Sequence, residues 1–315
     1  MRILCAGCAG YIGSVVAERL LSEGHQVLGL DNLSSGVREA VPEGVRFEQG
    51  YLRDTYGLAH QVYRVDAVCH LAAEAAIDNS RPEAFYRANV VGGLSLLEAM
   101  AMAGVKRLVF ASTASVYGAP DEVPIREDAP KLPVNAYGAS KLAFENMLPW
   151  WEQAHGIKAV VFRFYNVAGA TEQHGEMRKR ETHLIPMALD AALSGSELCL
   201  TGAEQDTPDR TAIRDYVSVL DVARAFSMAL AGDAQPGMQV YNLGSGTGHS
   251  NLEIVQAVKR VTGRDFPVAL SPSRSGDPPI LVADISKARD VLGWEPTQGL
   301  DEMIESAWRW RQRGT

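Results

Sequence analysis

The sequence predicts an α/β protein with a doubly wound parallel sheet, followed by a smaller C-terminal α/β domain. Three observations support this prediction: short apolar runs of strand length, helical stretches between them, and a glycine-rich turn at the end of the first run. Parallel strands need long crossover connections, which helices of this length provide. The chain has 315 residues, of which 46% are hydrophobic and 22% charged, so its composition suits one large or two closely packed globular domains.

The predicted elements of the first half alternate between strand and helix. Residues 1–6 form an apolar strand that enters the glycine-rich turn. Apolar residues at helical spacing predict a helix over residues 14–23, which Gly24 ends. The second strand covers residues 26–30 and ends at Asp31. The remaining strands are predicted at residues 67–70, 107–111 and 159–164, and the helices at residues 84–102 and 137–155.

The character of the sequence changes after residue 164. Loops rich in glycine, proline and acidic residues cover residues 169–181, 202–210 and 271–279, with short helices between them. We therefore predict a first domain of residues 1–165 and a second of residues 166–315, from which the chain returns to the first. An amphipathic packing helix is predicted at residues 299–313, near the C-terminus.

The charge balance and the distribution of apolar residues exclude several classes of protein. With 30 Lys and Arg against 38 Asp and Glu, the formal net charge is -8, so no nucleic-acid partner is expected. No apolar run approaches the roughly 18 residues of a membrane span. No secretory signal is recognisable either, so we expect a cytoplasmic protein without a membrane partner.

Cysteine and histidine usage argues against a disulfide framework and a dedicated metal site. The four cysteines are too few for a disulfide scaffold in a chain of this size. Cys5 and Cys8 satisfy C-x-x-C spacing, but two further zinc ligands are absent and both residues lie in the first strand and its turn. The seven histidines are scattered, so no metal is expected.

Gly7, Gly10 and Gly13 have G-x-x-G-x-x-G spacing where the first strand gives way to a helix. Glycines at this place allow a tight turn and let backbone N–H groups approach a pyrophosphate at the positive end of the helix. Asp31 ends the second strand, where a carboxylate accepts hydrogen bonds from ribose hydroxyls and repels a 2′-phosphate. The pattern predicts a Rossmann-type domain that binds NAD rather than NADP.

Tyr137 and Lys141 are four residues apart in a predicted helix, so they share one face. An ordinary tyrosine pKa near ~10 is too high for a base at neutral pH. A nearby ammonium group and the positive nicotinamide of NAD would both lower the pKa of Tyr137 by favouring the phenolate. Upstream, the hydroxyl-rich segment 112–118 follows a strand, at the sheet edge where α/β proteins bind ligands.

These motifs resemble those of the extended short-chain dehydrogenase/reductase family and, within it, the UDP-glucose (UDP-galactose) 4-epimerases. The resemblance covers nearly the whole chain. In the first half it includes the glycine motif, segments 31–36, 70–73 and 89–92, Thr113 and the Tyr137/Lys141 pair. In the second half it includes segments 163–170, 183–186, 211–217, 241–244 and 274–277, which are more specific because the wider family shares the first set.

The resemblance implies a role for each matching residue. Tyr137 is the acid/base, Lys141 binds the nicotinamide ribose and lowers the tyrosine pKa, and Thr113 hydrogen-bonds the sugar 4-hydroxyl. The implied cofactor-binding residues are Gly7, Gly10, Tyr11, Ile12, Gly13, Asp31, Asn32, Leu52, Leu71, Ala72, Ala73, Asn89, Tyr137, Lys141 and Tyr165. The implied substrate-binding residues are Thr113, Asn166, His183, Leu184, Arg214, Arg274, Asp277 and Leu281. Two arginines from separate loops suit a diphosphate, which binds guanidinium groups well.

The resemblance also implies an activity and an assembly. A UDP-sugar would be epimerised at C4 through a 4-keto intermediate, while NAD stays bound and is regenerated. The helices over residues 84–102 and 137–155 match those that form a dimer interface in relatives, so a homodimer is expected.

Several residues depart from the pattern of the resembled family. Tyr51 replaces an aspartate that contacts adenine, Ala75 a lysine, Arg210 a glycine and Cys8 a glycine or alanine, and Thr113 stands where serine is common. Leu281 occupies the position that gates the substituent at sugar C2, with a size between the residues that admit N-acetyl groups and the tyrosine that excludes them. The choice of sugar stays open.

Other activities on the same scaffold stay open as well. The chain could be an epimerase for UDP-N-acetylhexosamines or UDP-uronates, or a decarboxylase. A dehydratase is disfavoured, because Ala114 and Ser115 stand where it needs a carboxylate pair. A non-catalytic NAD-sensing regulator is the alternative from a different class. Such a sensor has no need of Tyr137 or Arg214.

Overall fold

A seven-stranded parallel sheet lies at the centre of the first region. The computed structural model describes residues 1–75, 81–178, 181–232, 235–272 and 277–313. The strands are β1 (Arg2–Ala6), β2 (Gln26–Asp31), β3 (Arg46–Gln49), β4 (Ala67–His70), β5 (Arg107–Thr113), β6 (Lys158–Phe164), β7 (Asn166–Ala168), β8 (Leu198–Ala203), β9 (Ile213–Ser218), β10 (Gln239–Leu243), β11 (Gly248–Ser250), β12 (Val268–Pro272) and β13 (Ile280–Leu281). The large sheet has the order β10-β6-β5-β4-β1-β2-β3, with every neighbouring pair parallel. The reversal of strand order beside β1 confirms the predicted doubly wound fold.

Helices cover both faces of this sheet. The helices of the described residues are α1 (Tyr11–Ser22), α2 (Thr55–Val62), α3 (Pro82–Phe85), α4 (Gly92–Ala103), α5 (Ala136–His155), α6 (Leu184–Ser194), α7 (Val219–Ala231), α8 (Asn251–Thr262) and α9 (Leu300–Arg313), of which α6, α8 and α9 lie with the smaller sheets. Val16 of α1 and Phe226 of α7 belong to the apolar core on one face. Leu58 of α2, Leu97 of α4 and Phe144 of α5 belong to the core on the other. Because both faces are covered, the inner strands are apolar along their length, which made them predictable.

The helix predicted over residues 84–102 is divided in the structure. α3 is followed by a π-helical segment, Tyr86–Val91, and only then by α4. The side chain of Asn89, in this segment, donates to the Glu74 carbonyl and to Ser140 Oγ and accepts from the Glu74 N–H. The single-helix prediction was wrong here, because apolar periodicity continues through a wider turn and does not reveal it.

Two strands of the large sheet were not predicted. β3 is an edge strand that carries Arg46 and Glu48, so it lacks the apolar run that marks its neighbours. β10 comes from the second half of the chain and pairs with β6. α7, which precedes it, packs beside α1. α7 and β10 therefore return the chain from its second half to the large sheet.

Two smaller sheets form the rest of the described structure. β9 pairs with β7, β11 and β13 in one of them, and β8 pairs with β12 in the other. α6, α8 and α9 share an apolar core that includes Leu189, Ile254 and Ile304. The predicted C-terminal helix is confirmed as α9, whereas the domain boundary at residue 165 stays a prediction. Among the described residues, no helix is both long and apolar enough to cross a membrane.

Candidate active site

In the glycine turn between β1 and α1, close backbone contacts leave no room for a side chain at Gly7 or at Gly13. A Cβ atom on Gly7 would lie 2.5 Å from the Ala72 nitrogen, and its φ of +91° is in the left-handed region. A Cβ on Gly13 would lie 1.9 Å from the Gly7 carbonyl oxygen. At Gly10 the nearest such atom is 3.4 Å away, so the turn is open on that side. The turn therefore offers backbone N–H groups and the N-terminus of α1 to an anion.

The end of β2 lies beside this turn. Asp31 Oδ2 accepts a hydrogen bond from the Ala9 N–H at 3.1 Å, and Oδ1 accepts from Leu33 N–H at 2.9 Å. Asn32 Oδ1 accepts from the Ser34 N–H in a local turn. These bonds fix the Asp31 carboxylate next to the glycine turn, where it can accept from ribose hydroxyls with its remaining lone pairs.

Several other predicted cofactor residues lie next to the same turn. Leu71 and Ala72 form the backbone against which Gly7 packs, and Ala73 follows them. Leu52, in the loop before α2, packs against Gly92, the first residue of α4. Tyr11 donates its hydroxyl proton to the Gly169 carbonyl, and Ile12 packs against the core under α1. Asn89 uses both polar atoms of its side chain on the Glu74 backbone and Ser140 Oγ, and its predicted cofactor role stays a prediction.

The three predicted catalytic residues come together at the end of β5. Thr113 is the last residue of β5 and is 8% exposed. Tyr137 lies in the first turn of α5, and the Thr113 side chain is close enough to lower the pKa of its phenol. Lys141, one turn later, is 2% exposed and donates from Nζ to the Ala111 carbonyl at 2.8 Å. The Lys141 Nζ lies 6.0 Å from the centre of the Tyr137 ring.

The acid–base properties of Tyr137 differ from the sequence argument in one respect. Burial raises the pKa of Tyr137, while the hydrogen bond from Thr113 and the charge of Arg178 act to lower it. Lys141 was expected to supply the lowering charge. Instead, burial lowers the pKa of Lys141 itself to about 7, against the opposite effect of Glu145. The reason is that both groups lie in the same dry site, which disfavours each charged form.

The small sheet around β9 places the predicted nucleotide-binding residues together. Arg214 lies on β9, and Nη2 of its guanidinium group lies 3.7 Å from Asp277 Oδ1. Its Nη1 also donates to the carbonyl of Ile213 at 2.9 Å. Leu281 is half-buried on β13 and is the register partner of Arg214. Burial lowers the pKa of Arg214, but its ordinary value is so high that the group stays charged.

Two predicted residues lie where the large sheet meets the small one. Asn166 on β7 is the register partner of Tyr216 and hydrogen-bonds its hydroxyl. Tyr165 is 7% exposed, and its hydroxyl oxygen is buried without a partner among the described residues. Arg274 lies outside the described residues.

His183 and Leu184 begin α6, beside an ion-pair network. Ligand atoms of Glu176, Glu181 and His183 lie within 4.8 Å of one another. However, Arg178 Nη1 contacts His183 Nδ1 at 3.0 Å, and Arg178 Nε lies 3.4 Å from Glu176 Oε1. Because a guanidinium group faces the histidine nitrogen, we assign no metal to this cluster.

The structure shows the environments of three residues that depart from the expected family pattern. Tyr51 is 54% exposed, and the Arg53 guanidinium lies 4.8 Å from the centre of its ring. Arg210 has a φ of +63°, a conformation that glycine adopts more readily. Cys8 is buried, and burial raises its pKa to about 12, so it packs as a small apolar residue rather than as a reactive thiol.

Two residues that organise the site were not singled out from the sequence. Asn135 caps α5, with its side chain accepting from the Gly138 N–H at 2.8 Å. Its place before a predicted helix was a usable signal. Asp215 is fully buried and accepts four hydrogen bonds, from the N–H and Oγ of Ser245 and the N–H groups of Gly246 and Ala283. Its partners lie in distant segments, so no local pattern could reveal this role.

The chain is similar over its length to proteins of one family. It matches the model of the NAD dependent epimerase/dehydratase family over residues 3–244. It is 44% identical to a UDP-glucose 4-epimerase of Lactobacillus helveticus, with 99% of this chain and 97% of that protein covered.

Two solved structures support the same relationship. The UDP-glucose 4-epimerase from Brucella ovis in complex with NAD has a TM-score of 0.91 and 39% identity, covering 98% of this chain and 97% of that chain. The enzyme from Bifidobacterium longum in complex with NAD+ and UDP has a TM-score of 0.95 and 32% identity, covering 99% of this chain and 98% of that chain. The resemblance seen in the motifs is confirmed.

Proposed function

The chain belongs to the NAD dependent epimerase/dehydratase family, and on that premise we propose that it is an isomerase that epimerises a UDP-sugar of the UDP-glucose/UDP-galactose type at C4. The reaction passes through a 4-keto sugar, and the cofactor is NAD. The observation that carries the proposal is the placement of Tyr137 and the buried Lys141 on one face of α5, beside Thr113 at the end of β5. A cofactor-sensing protein would not need this arrangement.

The residues around the glycine turn fit NAD. The space beside Gly10 is open while Gly7 and Gly13 are closed by backbone, which matches a pyrophosphate lying against the start of α1. Asp31 would hold the adenosine ribose, and Lys141 the nicotinamide ribose. When bound, NAD supplies the hydride chemistry at C4 that amino-acid side chains lack.

Tyr137 is the group that moves a proton in this proposal. Its phenolate oxygen takes the proton of the sugar 4-hydroxyl when the alcohol is oxidised, and the resulting phenol returns the proton when the ketone is reduced. Thr113 holds the 4-hydroxyl within reach of Tyr137. Because burial raises the pKa of Tyr137, a cation is needed to make the phenolate accessible, and the charged form of Lys141 provides one.

The nucleotide part of the substrate is assigned to the small sheet. Arg214 brings a nearly buried guanidinium group that suits a diphosphate, and Asp277 lies beside it. Asn166, His183, Leu184 and Arg274 are proposed to complete this subsite. Leu281 is proposed to bound the sugar at C2, because β13 holds it beside Arg214.

We further propose a cytoplasmic homodimer built on α4 and α5. Large apolar side chains are exposed on or next to these helices, with Trp150 68% and Met102 62% exposed. Burying such residues against a second copy would remove apolar surface from water.

The proposal is tested by incubating the purified chain with UDP-hexoses, UDP-N-acetylhexosamines and UDP-uronates and separating the products. We expect C4 epimers of UDP-glucose and UDP-galactose to form without added reductant. In the same assay, Tyr137→Phe should lower kcat by about 10²–10⁴-fold, with bound NAD and KM retained. If none of these sugars is converted, the proposed activity is wrong. If Tyr137→Phe keeps a near-normal kcat, Tyr137 is not the base.

A further inference from the structure

A buried ion pair lies behind the catalytic residues and has no part in the mechanism above. Glu145 of α5 and Arg163 of β6 are each 1% exposed. Arg163 Nη2 contacts Glu145 Oε2 at 2.6 Å, and Arg163 Nε donates to Oε1 at 3.2 Å. Two charges in such a place are costly to desolvate, and replacing them with apolar residues is often neutral or stabilising. Stability alone therefore does not account for the pair.

The contacts of Glu145 link it to the end of β5. Ser112 Oγ donates to Glu145 Oε1 at 2.5 Å. Ser112 and Arg163 are register partners on neighbouring strands, so both reach the same carboxylate from adjacent positions in the sheet. Ser112 is directly followed by Thr113, whose side chain lies close enough to Tyr137 to lower the pKa of that phenol.

Glu145 is thus the third contact of α5 with the end of β5. Tyr137, Lys141 and Glu145 are spaced four residues apart on one face of α5. Each holds a different residue at the end of the strand, because Tyr137 contacts Thr113, Lys141 binds the Ala111 carbonyl and Glu145 binds Ser112. This spacing fixes where α5 lies along β5.

We propose that Glu145 is a positioning residue for the reaction: through Ser112, and with Arg163 as its counter-ion, it holds the end of β5 in the register in which Thr113 reaches Tyr137. The proposal rests on the proposed function, since it assigns the contact between Thr113 and Tyr137 to catalysis. Glu145 itself touches neither substrate nor cofactor. A displacement of about 1 Å in such a contact can cost on the order of 10²-fold in rate.

The experiment compares single contacts in the NAD-loaded enzyme. Ser112→Ala removes the hydroxyl and leaves the ion pair, and Ser112→Thr keeps a hydroxyl. Glu145→Gln keeps an acceptor for Ser112 but removes the counter-ion of Arg163. Glu152→Gln is the matched control, because Glu152 lies two turns further along α5 and accepts from the Gly237 N–H before β10 rather than from a residue of β5. For each variant, kcat, KM, bound NAD and the midpoint of thermal unfolding are measured.

We expect kcat to fall about tenfold in Ser112→Ala and about 10²-fold in Glu145→Gln, with KM and bound NAD unchanged. The kcat values of Ser112→Thr and Glu152→Gln should stay within about twofold of the parent value, because neither change removes a contact that holds α5 in its register along β5. The phenolate titration of Tyr137, assigned by its absence in Tyr137→Phe, should move to higher pH in Ser112→Ala. The reason is that the Thr113 bond that lowers the pKa of Tyr137 is weakened, while Lys141 and Arg178, the charges that face Tyr137, are unchanged.

A purely structural pair gives a different result. Ser112→Ala and Glu145→Gln would then unfold at lower temperature while the kcat of the folded, NAD-loaded enzyme and the Tyr137 titration stayed at the parent values, and the inference would be wrong. Failure of the proposed function is seen separately, as an inactive parent enzyme.

Discussion

Lys141 combines the catalytic role proposed for it with a burial that costs stability. Its pKa falls from the ordinary 10.5 to about 7 because it is buried, so the unfolded chain binds its proton more tightly than the folded one. The resulting destabilisation is largest at and below pH 7 and disappears as the pH approaches 10.5. A catalytic residue that destabilises the fold is expected where function requires a charge in a dry site.

Lys141→Met removes this charge while keeping an unbranched side chain. We expect the variant to be more stable than the parent at pH 7 by a few kcal/mol, since one pKa unit corresponds to about 1.4 kcal/mol. The difference should shrink as the pH is raised from 7 to 9, and turnover should be slow throughout. Urea unfolding at a series of pH values measures the difference in the free energy of unfolding between Lys141→Met and the parent. A variant that is less stable than the parent at every pH would show that Lys141 is not a buried charge of this kind.

Leu281 is proposed to decide which sugars enter the site. Leu281→Tyr should lower kcat/KM for a UDP-N-acetylhexosamine at least about tenfold more than for the matching UDP-hexose, because the larger ring fills the space at C2. Leu281→Met, which conserves volume, is the control and should leave the ratio unchanged. The measurement is the ratio of the two kcat/KM values. An unchanged ratio in Leu281→Tyr would place the size gate elsewhere.

At the residue scale, the sequence predicted site chemistry where a short pattern carries it. Gly7, Gly13 and Asp31 could be recognised because each lies at a strand end and the turn itself requires glycine. The pKa of Tyr137 could not be predicted, because it depends on burial by residues far along the chain. The same holds for Asp215, whose partners follow it by about 30 to 70 positions in the sequence.

Among the elements, β9 is the one that carries the proposed nucleotide subsite. Asp215, on β9, accepts hydrogen bonds from Ser245 and Gly246 in the turn after β10. It also accepts one from the N–H of Ala283, shortly after the end of β13. Arg214, its neighbour on β9, depends on the same arrangement to reach Asp277. The carboxylate therefore holds three segments around the place proposed for the diphosphate.

Asp215→Asn tests this arrangement. An asparagine NH₂ group would face the N–H groups of Gly246 and Ala283, donor against donor, so the segments should move apart. We expect KM for the UDP-sugar to rise about tenfold or more, equivalent to about 1.4 kcal/mol, with bound NAD unchanged. Asp284→Asn is the control, because Asp284 Oδ1 accepts from the Ser286 N–H, and the side-chain carbonyl of asparagine can keep this bond. A normal KM with lost NAD would contradict this role.

At the element scale, apolar periodicity predicted the elements that pack against the large sheet. α5 begins one residue before its predicted start and ends at the predicted residue. The strands of the small sheet escaped prediction because they are two to six residues long and carry polar side chains such as Arg214 and His249. Their pairing is specified by long-range contacts rather than by a local pattern.

The proposed dimer is a property of the whole molecule. Trp150 on α5 is 68% exposed in the single chain, and a second copy would cover it if α4 and α5 form the interface. Trp150→Glu should shift the enzyme from dimer to monomer in sedimentation, because a buried carboxylate would lose its hydration. Val291→Glu, at an exposed site on the other side of the large sheet, is the control. A parent enzyme that sediments as a monomer would contradict the proposed dimer.

The central claim is that one enzyme oxidises and reduces the same sugar carbon while Tyr137 carries the hydroxyl proton. The most direct test is incubation of the NAD-loaded chain, without added cofactor, with UDP-galactose that carries deuterium at C4. The account predicts UDP-glucose that retains the deuterium at C4, because the hydrogen removed from this carbon is returned to it within the same site. Product that has lost the deuterium to solvent, or no product at all, would contradict the account.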